Sequence, residues 1–200
     1  KEKLRDKYRT MIKVTAFVIT PIMLGLSALA SPFVLILIGE KWAPCIIFLQ
    51  IICFTRSIYP IQSLNVNLLM VSGRSDLYLR LEILKKIFGV LMLAITLPIS
   101  VLALVWGYLI YGVLCLFLNL HFSKRIVDMT TFTQIRDVLP SWLLSLFMYL
   151  CVFGYTKIVD NLYAQLIGGI VIGVTVYLVG AYLFRFKEIN EVKYMLNRKK

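Results

Sequence analysis

Long uncharged runs alternate with short basic ones along this chain. Val14–Gly39 carries no charged residue over 26 positions, and Pro44–Leu69 carries one, Arg56. Ile87–Ser123 is uncharged for 37 positions, too many for one crossing. Pro98 is its natural break, because proline ends a helix where a turn follows. Extended back to Leu79, this stretch predicts two elements, Leu79–Leu97 and Val101–His121. Val138–Thr156 and Asn161–Phe184 complete the set. About 20 apolar residues cover the roughly 30 Å of hydrocarbon in a bilayer. The pattern therefore predicts an all-α integral membrane fold of six transmembrane helices in three hairpins. The short turns fall at Gly39–Trp42, Leu97–Ser100 and Lys157–Asp160. Transmembrane strands need alternating segments of about ten residues, and the sequence has none.

Composition strengthens this picture. Of the 200 residues 60% are apolar and 16% charged, against about 25% charged in a typical soluble domain. A soluble globule would have to expose much of that apolar surface, and a disordered chain would be polar. The net charge of +12 could suggest nucleic acid, but its placement argues otherwise. Basic residues gather at 1–13, at Arg74, Arg80, Lys85 and Lys86, at Lys124, Arg125 and Arg136, and at 185–200. With six spans all these positions lie on one side, leaving only Lys41 and Lys157 on the other. The positive-inside rule then puts both termini in the cytoplasm. The excess charge is topological bias plus attraction to anionic lipid headgroups, and no nucleic acid partner is expected. The expected organisation is a cytoplasmic basic segment 1–13, a four-helix part 14–121, a cytoplasmic interfacial segment 122–137, two further helices 138–184, and a basic tail 185–200. The chain opens inside a basic segment with neither Met nor signal peptide. It reads as the C-terminal part of a longer membrane protein.

Candidate chemistry is sparse. Cys45, Cys53, Cys115 and Cys151 lack short spacing and read as small hydrophobes. His121 is the only histidine and reads as an interfacial residue at the end of span four. Phosphate loops, nucleophile elbows and carboxylate pairs are missing, so no enzyme, metal or cofactor is expected. Charges inside hydrocarbon are costly and therefore informative. Arg56 falls near the bilayer centre. Ile52, Arg56, Tyr59, Ser63 and Asn67 follow helical spacing and form one polar face that should turn toward protein or a wet cavity. Pro60 removes the partner of the Arg56 carbonyl and predicts a kink there. The arginine either lines a cavity or pairs structurally with nearby carbonyls. A second cluster joins Tyr78, Glu82, Lys85, Lys86 and Gly89, with Glu82 and Lys86 set for an i,i+4 pair. Lys85 either snorkels to the headgroups or belongs to a basic patch facing an anion. Gly169, Gly173 and Gly180 mark a small-residue face for helix packing. Met129, Phe132, Ile135 and Val138 suggest a helix lying in the membrane interface. Tyr8, Trp42, Tyr155 and Tyr194 are expected at the interface.

The segment from Ser31 to Lys86 has a distinctive order. A proline-containing span ends in Gly39-Glu40-Lys41-Trp42. The next span carries Pro60 followed by Leu64-Asn65, then Gly73-Arg74-Ser75-Asp76-Leu77, then a span opening Leu-Glu-Ile-Leu-Lys-Lys. Together with Thr133–Leu150 it resembles the C-terminal part of bacterial polysaccharide and O-antigen flippases, the Wzx and WzxC-like group. That group sits within the multidrug/oligosaccharidyl-lipid/polysaccharide exporter superfamily. The resemblance implies part of the second lobe of a 12–14-helix transporter in the bacterial inner membrane, working in lipopolysaccharide and O-antigen polysaccharide biosynthesis. It implies export of a polyprenyl-diphosphate-linked oligosaccharide by alternating access. Arg56, Tyr59, Ser63, Asn67, Lys85 and Lys86 would face the substrate, and the cations would offset its diphosphate. Coupling to a proton or sodium gradient is implied as well, with Glu82 the candidate carboxylate in this stretch. Membrane lipids and other polysaccharide-assembly proteins are the remaining partners implied. Alternatives are a drug/cation antiporter of the same superfamily, a membrane-embedded glycan polymerase or acyltransferase, and a scaffold for glycosyltransferases.

Overall fold

A computed structural model describes residues 2–127 and 129–186, together with 188 and 191. Lys1, Asp128, Lys187 and most of the basic tail, including Lys193, Tyr194, Arg198, Lys199 and Lys200, lie outside the described residues. The chain forms eight α-helices among the described residues: α1 (Glu2–Ala28), α2 (Ala30–Leu37), α3 (Ile46–Arg56), α4 (Tyr59–Val71), α5 (Ser75–Thr96), α6 (Val101–Val127), α7 (Thr131–Ile158) and α8 (Leu162–Leu183). A 3₁₀ turn, Glu40–Cys45, joins α2 to α3.

The all-helical expectation is met, and the count of six spans is not confirmed. Among the described residues four helices are long and apolar enough to cross a membrane: Arg5–Ala28, Val101–Lys124, Phe132–Ile158 and Leu162–Leu183. The pair α3 and α4 makes a fifth if the two are one broken span. α5 falls short because Asp76, Arg80, Glu82, Lys85 and Lys86 crowd its first half. The basic N-terminal segment is the opening of α1 rather than a separate element. The segment 122–137 divides between the end of α6 and the start of α7, so Met129, Phe132, Ile135 and Val138 do not share a helix of their own.

The helices assemble into two compact units. One gathers the opening of α1 up to Ile12 with Ile58–Asp137, and the other gathers Lys13–Ser57 with Val138 onward. In the first unit α4, α5 and α6 pack pairwise. Leu69, Leu77 and Leu81 form its apolar centre. Gln62 Nε2 ties α4 to α6 by donating to the Gly112 carbonyl at 2.7 Å. Gly73 ends α4 with φ +68°. That backbone suits glycine and lets Arg74 N–H reach back to the Leu69 carbonyl, the usual αL closure of a helix. Beyond this turn the exposed Arg74 guanidinium holds the Asp76 carboxyl below its ordinary range.

The second unit shows how a proline is accommodated in an apolar helix. Pro21 lies inside α1 and has no N–H for the Phe17 carbonyl one turn back. Tyr177 of α8 supplies the missing donor, its hydroxyl giving a 2.7 Å bond to that carbonyl. The Phe17 and Tyr177 rings pack 5.1 Å apart among Leu24, Leu144, Met148 and Ala181. The small-residue face of α8 that its glycine spacing predicts packs closely on Leu29 and on α7. A Cβ on Gly169 would come 2.5 Å from Leu29 Cδ2, and one on Gly180 would come 2.5 Å from Leu144 Cδ1. Thr20 of α1 and Ser145 of α7 add a buried hydroxyl pair at 3.0 Å.

Tyr177→Phe should lower stability by about 1–3 kcal/mol, the cost of a buried acceptor left without its donor. The loss should shrink in a Pro21→Ala background, where residue 21 regains its N–H. Thermal unfolding of the four proteins in detergent measures this coupling.

Candidate functional site

Pro60 breaks the second uncharged run more deeply than a kink. α3 ends at Arg56, Ser57 and Ile58 form a turn, and α4 begins at Tyr59 with Pro60 in its first turn. Proline suits that position because the first N–H groups of a helix have no intrahelical partner anyway. Hydroxyls hold the local backbone: Thr55 Oγ1 donates to the Ile51 carbonyl at 2.8 Å, and Ser57 Oγ to the Phe54 carbonyl at 2.7 Å. Within its own unit Ser57 Oγ also accepts from Trp142 Nε1 of α7 at 3.2 Å, and the Trp142 ring meets Phe54 edge-on.

This turn is also where the chain passes from one unit to the other. The predicted polar face is therefore divided. Ile52 and Arg56 share α3, whereas Tyr59, Ser63 and Asn67 share α4. Arg56, Tyr59 and Asn67 are exposed and Ser63 is half-buried. The spacing assigns this face to protein or a cavity, and it lies on the outside of this chain.

On α5 the pairing differs from the expected register. Lys85 Nζ donates to Glu82 Oε1 at 2.9 Å, an i,i+3 pair, in place of the anticipated Glu82–Lys86 pair. The reason lies across the hairpin. Lys85 is only 11% exposed and lies near Cys115 of α6. Lys86 is exposed. Glu82 thus offers a carboxylate already neutralised by its neighbour.

The most buried polar cluster was not assigned by sequence reasoning. Within the first unit the Tyr8 hydroxyl, 5% exposed rather than interfacial, meets Asn65 Oδ1 of α4 and lies 3.0 Å from Gln134 Oε1 of α7. Gln134 Nε2 continues to Ser123 Oγ of α6 at 3.3 Å. One residue along α1, Arg9 grips Asp137 with two bonds of 2.6 and 2.8 Å. An asparagine inside an apolar run, off the Arg56 face, was the one available signal. Its partners are distant in sequence and left no local pattern. The inward polar face of α4 is accordingly Gln62 and Asn65. Trp42 is exposed in the turn after α2, and Tyr155 donates to the Ala164 carbonyl across the α7–α8 turn.

The comparisons with known proteins agree with the resemblance read from the sequence. Residues 1–47 match the family described as "Polysaccharide biosynthesis protein". The chain is 23% identical over 164 residues to the teichuronic acid biosynthesis protein TuaB of Bacillus subtilis, covering 81% of this chain and 34% of that protein. It is 27% identical over 107 residues to an uncharacterized membrane protein in the cps region of Klebsiella pneumoniae, covering 54% and 21%. It is 30% identical over 84 residues to the lipopolysaccharide biosynthesis protein WzxC of Escherichia coli, covering 42% and 17%. No solved structure matches. The chain therefore spans about a third or less of the length of these relatives, and it is similar to membrane proteins of polysaccharide biosynthesis.

Glu82→Gln should cost more stability than Lys86→Met, because it strands the largely buried Lys85 ammonium while Lys86 stands in solvent or headgroups. With Glu82 a third exposed, the expected loss is about 1–2 kcal/mol. Thermal melts of the two variants provide the comparison.

Proposed function

We propose that this chain is part of a multi-pass inner-membrane transporter that moves lipid-linked polysaccharide repeat units across the bilayer by alternating access. The observation that carries this reading is a guanidinium set at a helix break inside an otherwise uncharged run, in a chain similar to polysaccharide biosynthesis proteins. A polyprenyl-diphosphate headgroup is anionic and must cross hydrocarbon. Arg56 offers it a permanent charge and a planar fork of donors at mid-span. The exposed side of α4, with Tyr59, Ser63 and Asn67, offers hydroxyl and amide groups of the kind that bind sugar hydroxyls. Lys86 stands free of the Glu82 pair and gives the substrate a cation near the middle of α5. The reading is of a transporter rather than an enzyme, because translocation needs no covalent step from these side chains. Glu82 is a poor ion carrier while Lys85 neutralises it, so any coupling carboxylate belongs to the remainder of the protein. Both termini of the segment are assigned to the cytoplasm on the basic bias of its flanks.

Arg56→Ala in the full-length protein should abolish surface polysaccharide at unchanged protein abundance, and Arg56→Lys should retain part of it. Immunoblotting of surface glycan alongside membrane protein level reads both. Normal export by the alanine variant would remove the basis of the proposal.

A further inference from the structure

The hairpin α5–α6 carries a groove on its outer side, of about 400 Å³, lined by Phe88, Leu114, Phe117, Leu118 and His121. This volume lies in the range of small-ligand sites. Four of the lining residues fall on α6 at i, i+3, i+4 and i+7, so they form one continuous stripe. Phe88 is 40% exposed and Phe117 55% exposed. The floor is apolar for about 10 Å along the axis, and only its last residue, His121, is polar. One turn further along the same face stands Lys124, exposed. Apolar length below and basic character above is the complement of one kind of molecule, an acyl chain under a phosphate.

We propose that this groove binds an anionic phospholipid of the surrounding bilayer. One acyl chain lies along Leu114 and Phe117 against Phe88, and the phosphate sits at His121 and Lys124. The gradient of polarity along the groove favours a lipid over an apolar protein helix, which would meet two basic side chains with nothing to pair them. Net-neutral lipids fill the apolar floor equally well but gain less from the lysine. A Lys near the membrane surface contributes attraction to anionic lipid that converts to about a five-fold preference. The site shares no residue with the Arg56 turn and requires only that the chain lie in a membrane.

The test uses the full-length protein in nanodiscs of mixed phosphatidylglycerol and phosphatidylcholine, with retained lipids counted by native mass spectrometry. Wild type should retain phosphatidylglycerol preferentially. Lys124→Gln should reduce that preference about five-fold, and the reduction should disappear in a Leu114→Trp background, where the groove is filled. Leu114→Trp should reduce retention of both lipids by filling the floor. Melting temperature in phosphatidylcholine alone controls for folding. Equal retention of the two lipids by wild type overturns the proposal, as does indifference to Lys124→Gln. Displacement of phosphatidylglycerol by equimolar polyprenyl phosphate also overturns it, since the groove would then belong to a transported lipid. Loss of export in Arg56 variants bears on the transport reading alone and leaves this result untouched.

Discussion

A carbonyl freed by proline in an apolar helix must find another donor or another environment. This constraint governs both unusual places in the chain. Hydrocarbon offers no water to an orphaned backbone group, and each one left unsatisfied costs several kcal/mol. At Pro21 the solution is a side chain: Tyr177 donates to the Phe17 carbonyl from a helix whose glycine face packs closely on α7 and Leu29. At Pro60 the solution is a break: α3 stops at Arg56 and α4 starts afresh at Tyr59. The same chemical defect is sealed by protein in one unit and left as a turn at the passage between units.

The difference has functional meaning. A sealed proline bends a helix and keeps the interior dry. A buried turn with an exposed arginine at its edge suits a place where water or a charged headgroup reaches the side chain, because non-helical backbone at membrane depth is tolerated where it lines a cavity or is buried in protein. The charges of α5 follow the same logic. Lys85 is drawn toward α6 and neutralised by Glu82, whereas Lys86 stays outside. Two adjacent lysines thus separate into a structural cation and an available one.

Much of the helical framework was legible from the uncharged runs, because a hydrocarbon span leaves a long and unambiguous mark on composition. The turns after Gly39 and around Pro98 and Lys157 were legible for the same reason. α5 was read as a span from its apolar second half, and the ionisable residues from Asp76 to Lys86 keep it from standing out as one by composition. The small-residue face of α8 followed from glycine spacing. Its partner Tyr177 did not, since a tyrosine in an apolar helix gives no sign of the carbonyl it serves 160 residues away. The Tyr8–Asn65–Gln134 cluster was hidden likewise: each member is an ordinary polar residue until folding brings three distant helices together. Arg56 was found by its charge, but its continuous polar face presumed an unbroken helix that Pro60 does not permit.

Cysteine accessibility at position 56 tests the central claim most directly. Arg56→Cys would be placed in the full-length protein freed of its other cysteines and treated in membranes with a membrane-impermeant maleimide. The account expects rapid modification by the water-soluble reagent, at a rate that a lipid-permeant maleimide does not exceed. Modification only by a lipid-permeant maleimide would place position 56 against hydrocarbon and contradict an aqueous path beside the break.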